Sequence, residues 1–555
     1  MATMIVAGFK GAAVALNPKL LPDGVGANAV NQYALRGDLR PINAPLQVAT
    51  VPAGTKSIYR MGRDTASDTQ YWLSWANKVD AVRGFIANDT TERTYYTGDT
   101  FPKWTDNAMG LASQPYPSAW RQLGVPAPAT AATLSATGGT STVTQDVFVV
   151  YTYVTDKGEE SAPSPPQSTA LSCLQDATIT VSNFAAPPAG NFGIATIRVY
   201  QSQAGSTSAD FFVVQDIPYT QLTLSYASPT LGNPLVTTDW LPPPSDLKKL
   251  TGMWNGMMAG ISGRALCFCV PYVPYAWPLA YQQVPPDVTP VALATFGQNL
   301  LVLTNGRPIV IAGDDPTTLG QLPIDFDKSC VSDMSAVSVG RGVCWACPDG
   351  LAFYGSTEKE GQLAYQFRFG GELVTRNVFT RDDWQALNPT TMVGVRWLDF
   401  YIGFYQNATT GLWNAIMVDP MTPGVDPPVV FFFDFGYSAV WKDSITENVY
   451  VVDSAGNILK WDAGSPKQAT FLSKVFHQTQ PIVGFGWCKV VADAYPVQIT
   501  LLADGKTIGT FTASSADPFR LPGDYYATDF QVQVQTSNPT VEVSFSHDIE
   551  ELAKT

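Results

Sequence analysis

Histidine is almost absent from this chain: His477 and His547 are the only two in 555 residues. A Ser/His/Asp or Cys/His centre needs an imidazole beside a nucleophile, and neither histidine lies near a Ser or Cys nucleophile signature in the sequence. Charge is scarce as well, at 14% of residues against about 25% in ordinary soluble domains. No basic stripe interrupts the net charge of −14, which argues against a nucleic-acid reader. No apolar run reaches the roughly 20 residues of a membrane span; Pro428 to Phe433 stops at Asp434. Met1 to Leu16 lacks a basic leader and is broken by Lys10, so no signal peptide is expected and synthesis in a cytoplasm is. Seven cysteines in a chain this long do not suggest a secreted disulfide framework. No long amphipathic helix is legible; Asp382 to Leu387 is the best short candidate.

What is abundant is strand and turn. Forty-five glycines and 42 prolines punctuate short runs rich in Val, Thr, Tyr and Phe, the pattern of an all-β protein. Residues 1–125 read as turn-rich extended chain leading into three strands, Tyr71–Trp75, Ala81–Ala87 and Arg93–Gly98, spaced like one propeller blade or a meander. Residues 126–240 open on a Pro/Ala/Thr linker and carry eight acidic against two basic residues, net −6. Their strand number and spacing predict an inserted β-sandwich of the fibronectin type III kind, bounded by Pro126 and by Leu241 to Pro244 and removable as a module. Residues 241–470 return to hairpins: Leu300–Ala312, Val343–Tyr354 and Val449–Asp462 recur irregularly at about 40–50 residues, near a blade period. Residues 471–555 read as a C-terminal β domain, with a hairpin at Asp504-Gly505, a further run at Phe530–Val534 and alternation in Val541–Phe545. The expected fold is therefore an irregular β-propeller with an inserted sandwich and a C-terminal β domain.

The chemistry-bearing candidates each have a plainer reading. Cys344 and Cys347 have zinc or redox spacing and Cys267 with Cys269 could pair with them, yet buried apolar thiols are the expectation. Asp453 to Asn457 could bind calcium but reads better as a hairpin turn. Gly505-Lys506-Thr507 lacks the leading glycine of a phosphate loop. Trp72, Trp75, Trp254, Trp277 and Trp397 could stack on sugars, although strand aromatics usually fill a sheet core. No catalytic, cofactor or metal residue is assigned, and no enzyme is expected.

Four islands stand in order: Phe9 to Pro41, Arg93 to Trp104, Arg121 to Pro126 and Asn255 to Pro278, with Phe519 to Pro522 as a fifth. Together they resemble virion structural proteins of tailed bacteriophages, similar in layout to the tail nozzle (tail tubular B) proteins of short-tailed phages. That resemblance implies a propeller-based subunit of the virion tail, six copies in a ring, touching adaptor and fibre proteins. Genomic DNA would pass through it without specific binding, and it would have no membrane span. Two other functions stay open: a receptor- or glycan-binding tail protein, for which the host surface would be the partner, and a virion enzyme that degrades polysaccharide.

Overall fold

A computed structural model describes residues 4–33, 37–62, 67–204, 209–357, 368–420 and 429–552. The class is all-β: among the described residues the helices are short, and the rest of the regular structure is strand. The predicted helix is real and runs Arg381–Ala386. A capping box starts it, with the Asp383 amide donating to Thr380 Oγ1 and the Thr380 amide donating to Asp383 Oδ2. Phe9 to Pro41, the first of the phage-like islands, includes residues 34–36, which lie outside the described residues.

The chain divides into two compact units. The first comprises Met1–Ala76, Ala294–Val310 and Leu322–Thr555; the second comprises Asn77–Leu293 and Ile311–Gln321.

The first unit is built from blade-type antiparallel meanders. Val337–Ser338, Gly342–Cys347, Gly350–Thr357 and Arg368–Leu373 form one four-stranded sheet. Val393–Trp397, Phe400–Gln406, Trp413–Val418 and Val430–Phe433 form the next meander. Ala439–Lys442, Val449–Val452 and Asn457–Lys460 form a third. Its fourth strand comes from far upstream, because Leu46–Thr50 pairs antiparallel with Asn457–Lys460. Ser57–Arg60 then pairs with Trp72–Trp75. The first strands of these sheets lie side by side in the order Val337, Val393, Ala439, Ser57, as the inner strands of propeller blades do. The three runs expected in one early blade are split: Trp72–Trp75 pairs backward, and the meander of Asp80–Arg83, Thr94–Thr97, Lys103–Thr105 and Arg121–Gln122 belongs to the second unit.

The terminal segments of the chain are woven together. Met4–Ala7 pairs with Thr540–Ser546. Asn28–Val30 lies between Val430–Phe433, to which it runs parallel, and Ala469–Leu472, to which it runs antiparallel. The C-terminal strands therefore continue the sheet of the Val393–Phe433 meander: Ala469–Leu472 pairs with Tyr526–Thr536, then come Val497–Ala503 and Lys506–Ala513. Gly26 allows this weave, since a Cβ there would sit 2.6 Å from the Leu472 carbonyl oxygen. The hairpin at Asp504-Gly505 forms with positive φ at both residues, 45° and 74°, as a two-residue turn of this twist requires.

The inserted sandwich is present in the second unit. Thr133–Thr137, Thr178–Ser182 and Thr223–Ala227 make one sheet, and Val149–Thr155, Ile194–Ala204 and Ala209–Pro218 the other. Ile179, Val181 and Leu224 from the first meet Tyr151, Tyr153, Ile197 and Val199 from the second in one core. The segment after the Asp156 turn zips along its neighbour: the Tyr153 amide donates to Ser161 Oγ and the Tyr151 amide to Ser164 Oγ.

Candidate functional site

The residues singled out in the sequence resolve mostly into structure. All seven cysteines are buried, and no cluster of metal-ligating side chains occurs among the described residues. Burial pushes the Cys267 thiol up to about 11 and those of Cys269 and Cys347 to about 12. Asp453 accepts from the Ala455 and Asn457 amides and from Asn457 Nδ2, the geometry of a hairpin turn. His477 Nδ1 meets Asp529 Oδ1 at 2.6 Å, with Lys19 on the other carboxylate oxygen at 2.7 Å. His547 stacks on Phe485. Trp72, Trp75, Trp277 and Trp397 are buried, and Trp254 Nε1 lies 3.2 Å from Asp314. None of these five tryptophans forms an exposed sugar platform.

A charged joint fastens the sandwich to the neighbouring meander inside the second unit. Arg93 Nη1 lies 2.6 Å from Glu159 and stacks over Trp104 at 4.2 Å. Arg121 pairs with Asp156, and Lys157 approaches Asp106 at 3.9 Å. Each pair joins one meander residue to one sandwich residue. The Glu159 side chain is 4% exposed, and burial holds its carboxyl above the usual range, against the pull of Arg93 and Arg121. This arrangement is an anchor, with its charges already satisfied.

The first unit carries an open cleft of about 470 Å³ lined by Val14, Ala27, Asn28, Val30, Tyr405, Asn414, Phe432, Phe433 and Asp434. Strand register explains why these residues meet. Directly paired residues point to the same face of a sheet, and residues two apart on one strand share that face. Tyr405 pairs with Asn414, Ile416 with Phe432, and Phe432 with Val30. Tyr405, Asn414, Phe432 and Val30 therefore share one face, and alternation adds Asn28 and Asp434. The opposite face is core: Trp461 packs against Phe404, Phe433 and Phe435 at ring distances of 5.5, 5.6 and 5.2 Å.

The cleft's carboxylate is held in place, while its other polar side chains are uncommitted. The Asp434 amide donates to Asn31 Oδ1, and Lys467 Nζ lies 3.0 Å from Asp434 Oδ1. Lys467 in turn sits over the Phe435 ring at 4.2 Å. Gly436 lets the chain leave the strand tightly, since a Cβ there would fall 2.4 Å from the Asn414 carbonyl oxygen. Among the described residues, the side-chain amides of Asn28 and Asn414 and the Tyr405 hydroxyl have no hydrogen-bond partner in the protein. Burial lifts the Tyr405 hydroxyl to about 12, so at neutral pH it is a neutral donor and acceptor. The wall thus presents amide, hydroxyl and carboxylate groups beside aromatic and aliphatic carbon. Sequence reasoning missed it, because no local motif marks residues that converge from four strands.

No protein-family model matches the sequence, and no curated protein does. Among solved structures the chain is similar to an exo-β-1,3-galactanase from Phanerochaete chrysosporium with galactose, at 8% identity over 91% of this chain and 99% of that one, TM-score 0.17. It is also similar to apo AztD from Citrobacter koseri, at 13% identity over 73% and 100%, TM-score 0.23. A third is a glycoside hydrolase family 32 structure from Bifidobacterium adolescentis, at 10% identity over 75% and 99%, TM-score 0.16. Two of these three are glycosidase structures, and the expectation that the chain is no enzyme is withdrawn on that finding. The physical reason is general: an all-β scaffold hosts a catalytic cleft as readily as a structural role, and a site assembled from distant strands leaves no local motif. At these TM-scores no substrate, residue role or mechanism is carried over.

Proposed function

We propose that the protein binds glycan in the cleft formed by Asn28, Tyr405, Asn414, Phe432 and Asp434. The single observation that supports this is the shared sheet face: uncommitted amide and hydroxyl groups stand beside aromatic carbon in an open cleft. Sugars present that chemistry in reverse, with hydroxyls for the polar groups and C–H faces for the apolar wall. The resemblance to tailed-phage virion proteins supplies the setting we propose: a tail subunit that meets polysaccharide on a host surface.

The test is binding of the full chain to a panel of bacterial surface glycans, followed by Tyr405→Phe and Asn414→Ala. Loss of one neutral hydrogen bond is worth about 1 kcal/mol, so each variant should bind about five-fold more weakly while melting like the parent. Glycan binding unchanged in both variants would remove the cleft from the reading. Reducing-end release that disappears in Asp434→Asn would extend binding to hydrolysis; glycosidases commonly use a carboxylate pair, and Asp434 is the carboxylate this cleft provides.

A further inference from the structure

The cleft does not end at its lining residues. Val30 and Asn28 each begin a row of side chains that crosses the C-terminal part of the same sheet. One row runs from Val30 through Thr470, Gln535 and Gln498 to Thr512. The next runs from Asn28 through Leu472, Gln533 and Thr500 to Thr510. Neither row contains an Asp, Glu, Lys or Arg. The far side of these strands is buried core, with Phe471, Val534 and Ile499 at 0–1% exposure, so the rows are the solvent side. Four inter-strand steps of about 4.8 Å make the face roughly 19 Å wide from Val30 to Thr512.

We propose that this face is the extended part of the glycan site, a platform for a neutral polysaccharide chain that leads out of the cleft across the strands. The inference rests on the glycan reading of the cleft and adds the ligand's class and length. Its chemistry is selective. A duplex nucleic acid or an acidic polysaccharide would need cations, and the rows offer none. A protein partner would be expected to find aromatic, Met or Arg anchors, and here it meets Thr and Gln with Leu472 as the one large apolar side chain. Hydroxyl and amide groups in rows that hold no charged side chain suit an uncharged polyol. Thr500 and Thr510 hydrogen-bond one another at 3.0 Å, and Gln535 reaches Thr470 at 3.4 Å. The Gln498 and Gln533 side chains have no protein partner among the described residues, so they are the groups poised to bind.

Equilibrium binding of the full chain to neutral dextran, laminarin, amylose and galactan, with polygalacturonate as the anionic counterpart, tests the proposal. A length series of the best neutral binder, from disaccharide to about ten units, follows. Affinity should rise about ten-fold or more with length, and Gln498→Ala/Gln533→Ala should abolish that gain while leaving disaccharide binding and the melting curve unchanged. Short and long chains bound equally, or polygalacturonate bound as tightly as the neutral polymers, would overturn the platform and leave the cleft standing. A length gain that survives in the double variant would also overturn it. No binding of any polymer or disaccharide would overturn platform and cleft together. The length series on the parent protein is informative even if the double variant folds poorly.

Discussion

At the scale of single residues, the clearest consequences concern ionisation. Asp176 accepts hydrogen bonds from the Ser141 and Thr140 amides and from the Thr140 hydroxyl. Those bonds pull its carboxyl down to about 2 from an ordinary 3.8. A depressed value in the fold means the contact stabilises fully above the unfolded value and is lost as pH falls from about 4 toward 2. Asp176→Asn should therefore melt below the parent at pH 7, and the two should converge near pH 2; a constant difference across that window would show that the anchor is not ionic. The thiols make the opposite case. All seven are buried, and thiolate is the reactive form. Native protein treated with iodoacetamide at pH 8 should stay unmodified by mass, and all seven cysteines should react once the chain is denatured.

Between elements, the charged joint decides how independent the sandwich is. Proline-rich boundaries suggested a module that could be excised. The structure instead ties it to its meander through Arg93–Glu159, Arg121–Asp156 and Lys157–Asp106. Removing one member of a buried pair strands the other, at a cost of about 3–5 kcal/mol. Arg93→Ala should cost about that much in chemical denaturation, because it leaves Glu159 buried and also uncovers Trp104. Arg93→Met with Glu159→Leu should recover most of the loss, and a double-mutant cycle showing no coupling would refute the joint. Deleting residues 126–240 should lower the melting temperature of the remainder by the same logic, since Arg93, Arg121 and Asp106 would lose their partners.

Across the whole molecule, the two ends of the sequence hold each other. The first 33 residues place Met4–Ala7 against Thr540–Ser546, Phe9 against Phe471 at 4.9 Å, and Asn28–Val30 inside the sheet that bears the cleft. Removal of residues 4–33 would expose the Phe471 core and leave ladder groups on Thr540–Ser546, Val430–Phe433 and Ala469–Leu472 unpaired. The truncated chain should lose its cooperative melt by circular dichroism; a truncation that melts like the parent would show that this weave is dispensable.

Much of the local architecture could be read directly from residue order. The Asp504-Gly505 and Asp453 hairpins, the helix after Thr380 and the sandwich strands all follow from turn chemistry, capping and alternation, which act over a few residues. What residue order did not reveal was the pairing of distant strands. Leu46–Thr50 completes a sheet near residue 457, and Asn28–Val30 joins residues 430 and 470. Such register is set by which apolar faces find a common core, a property of the folded chain. The cleft and its platform exist only through that pairing. Their residues come from strands hundreds of positions apart, each unremarkable alone, and one sheet turns them to the same side.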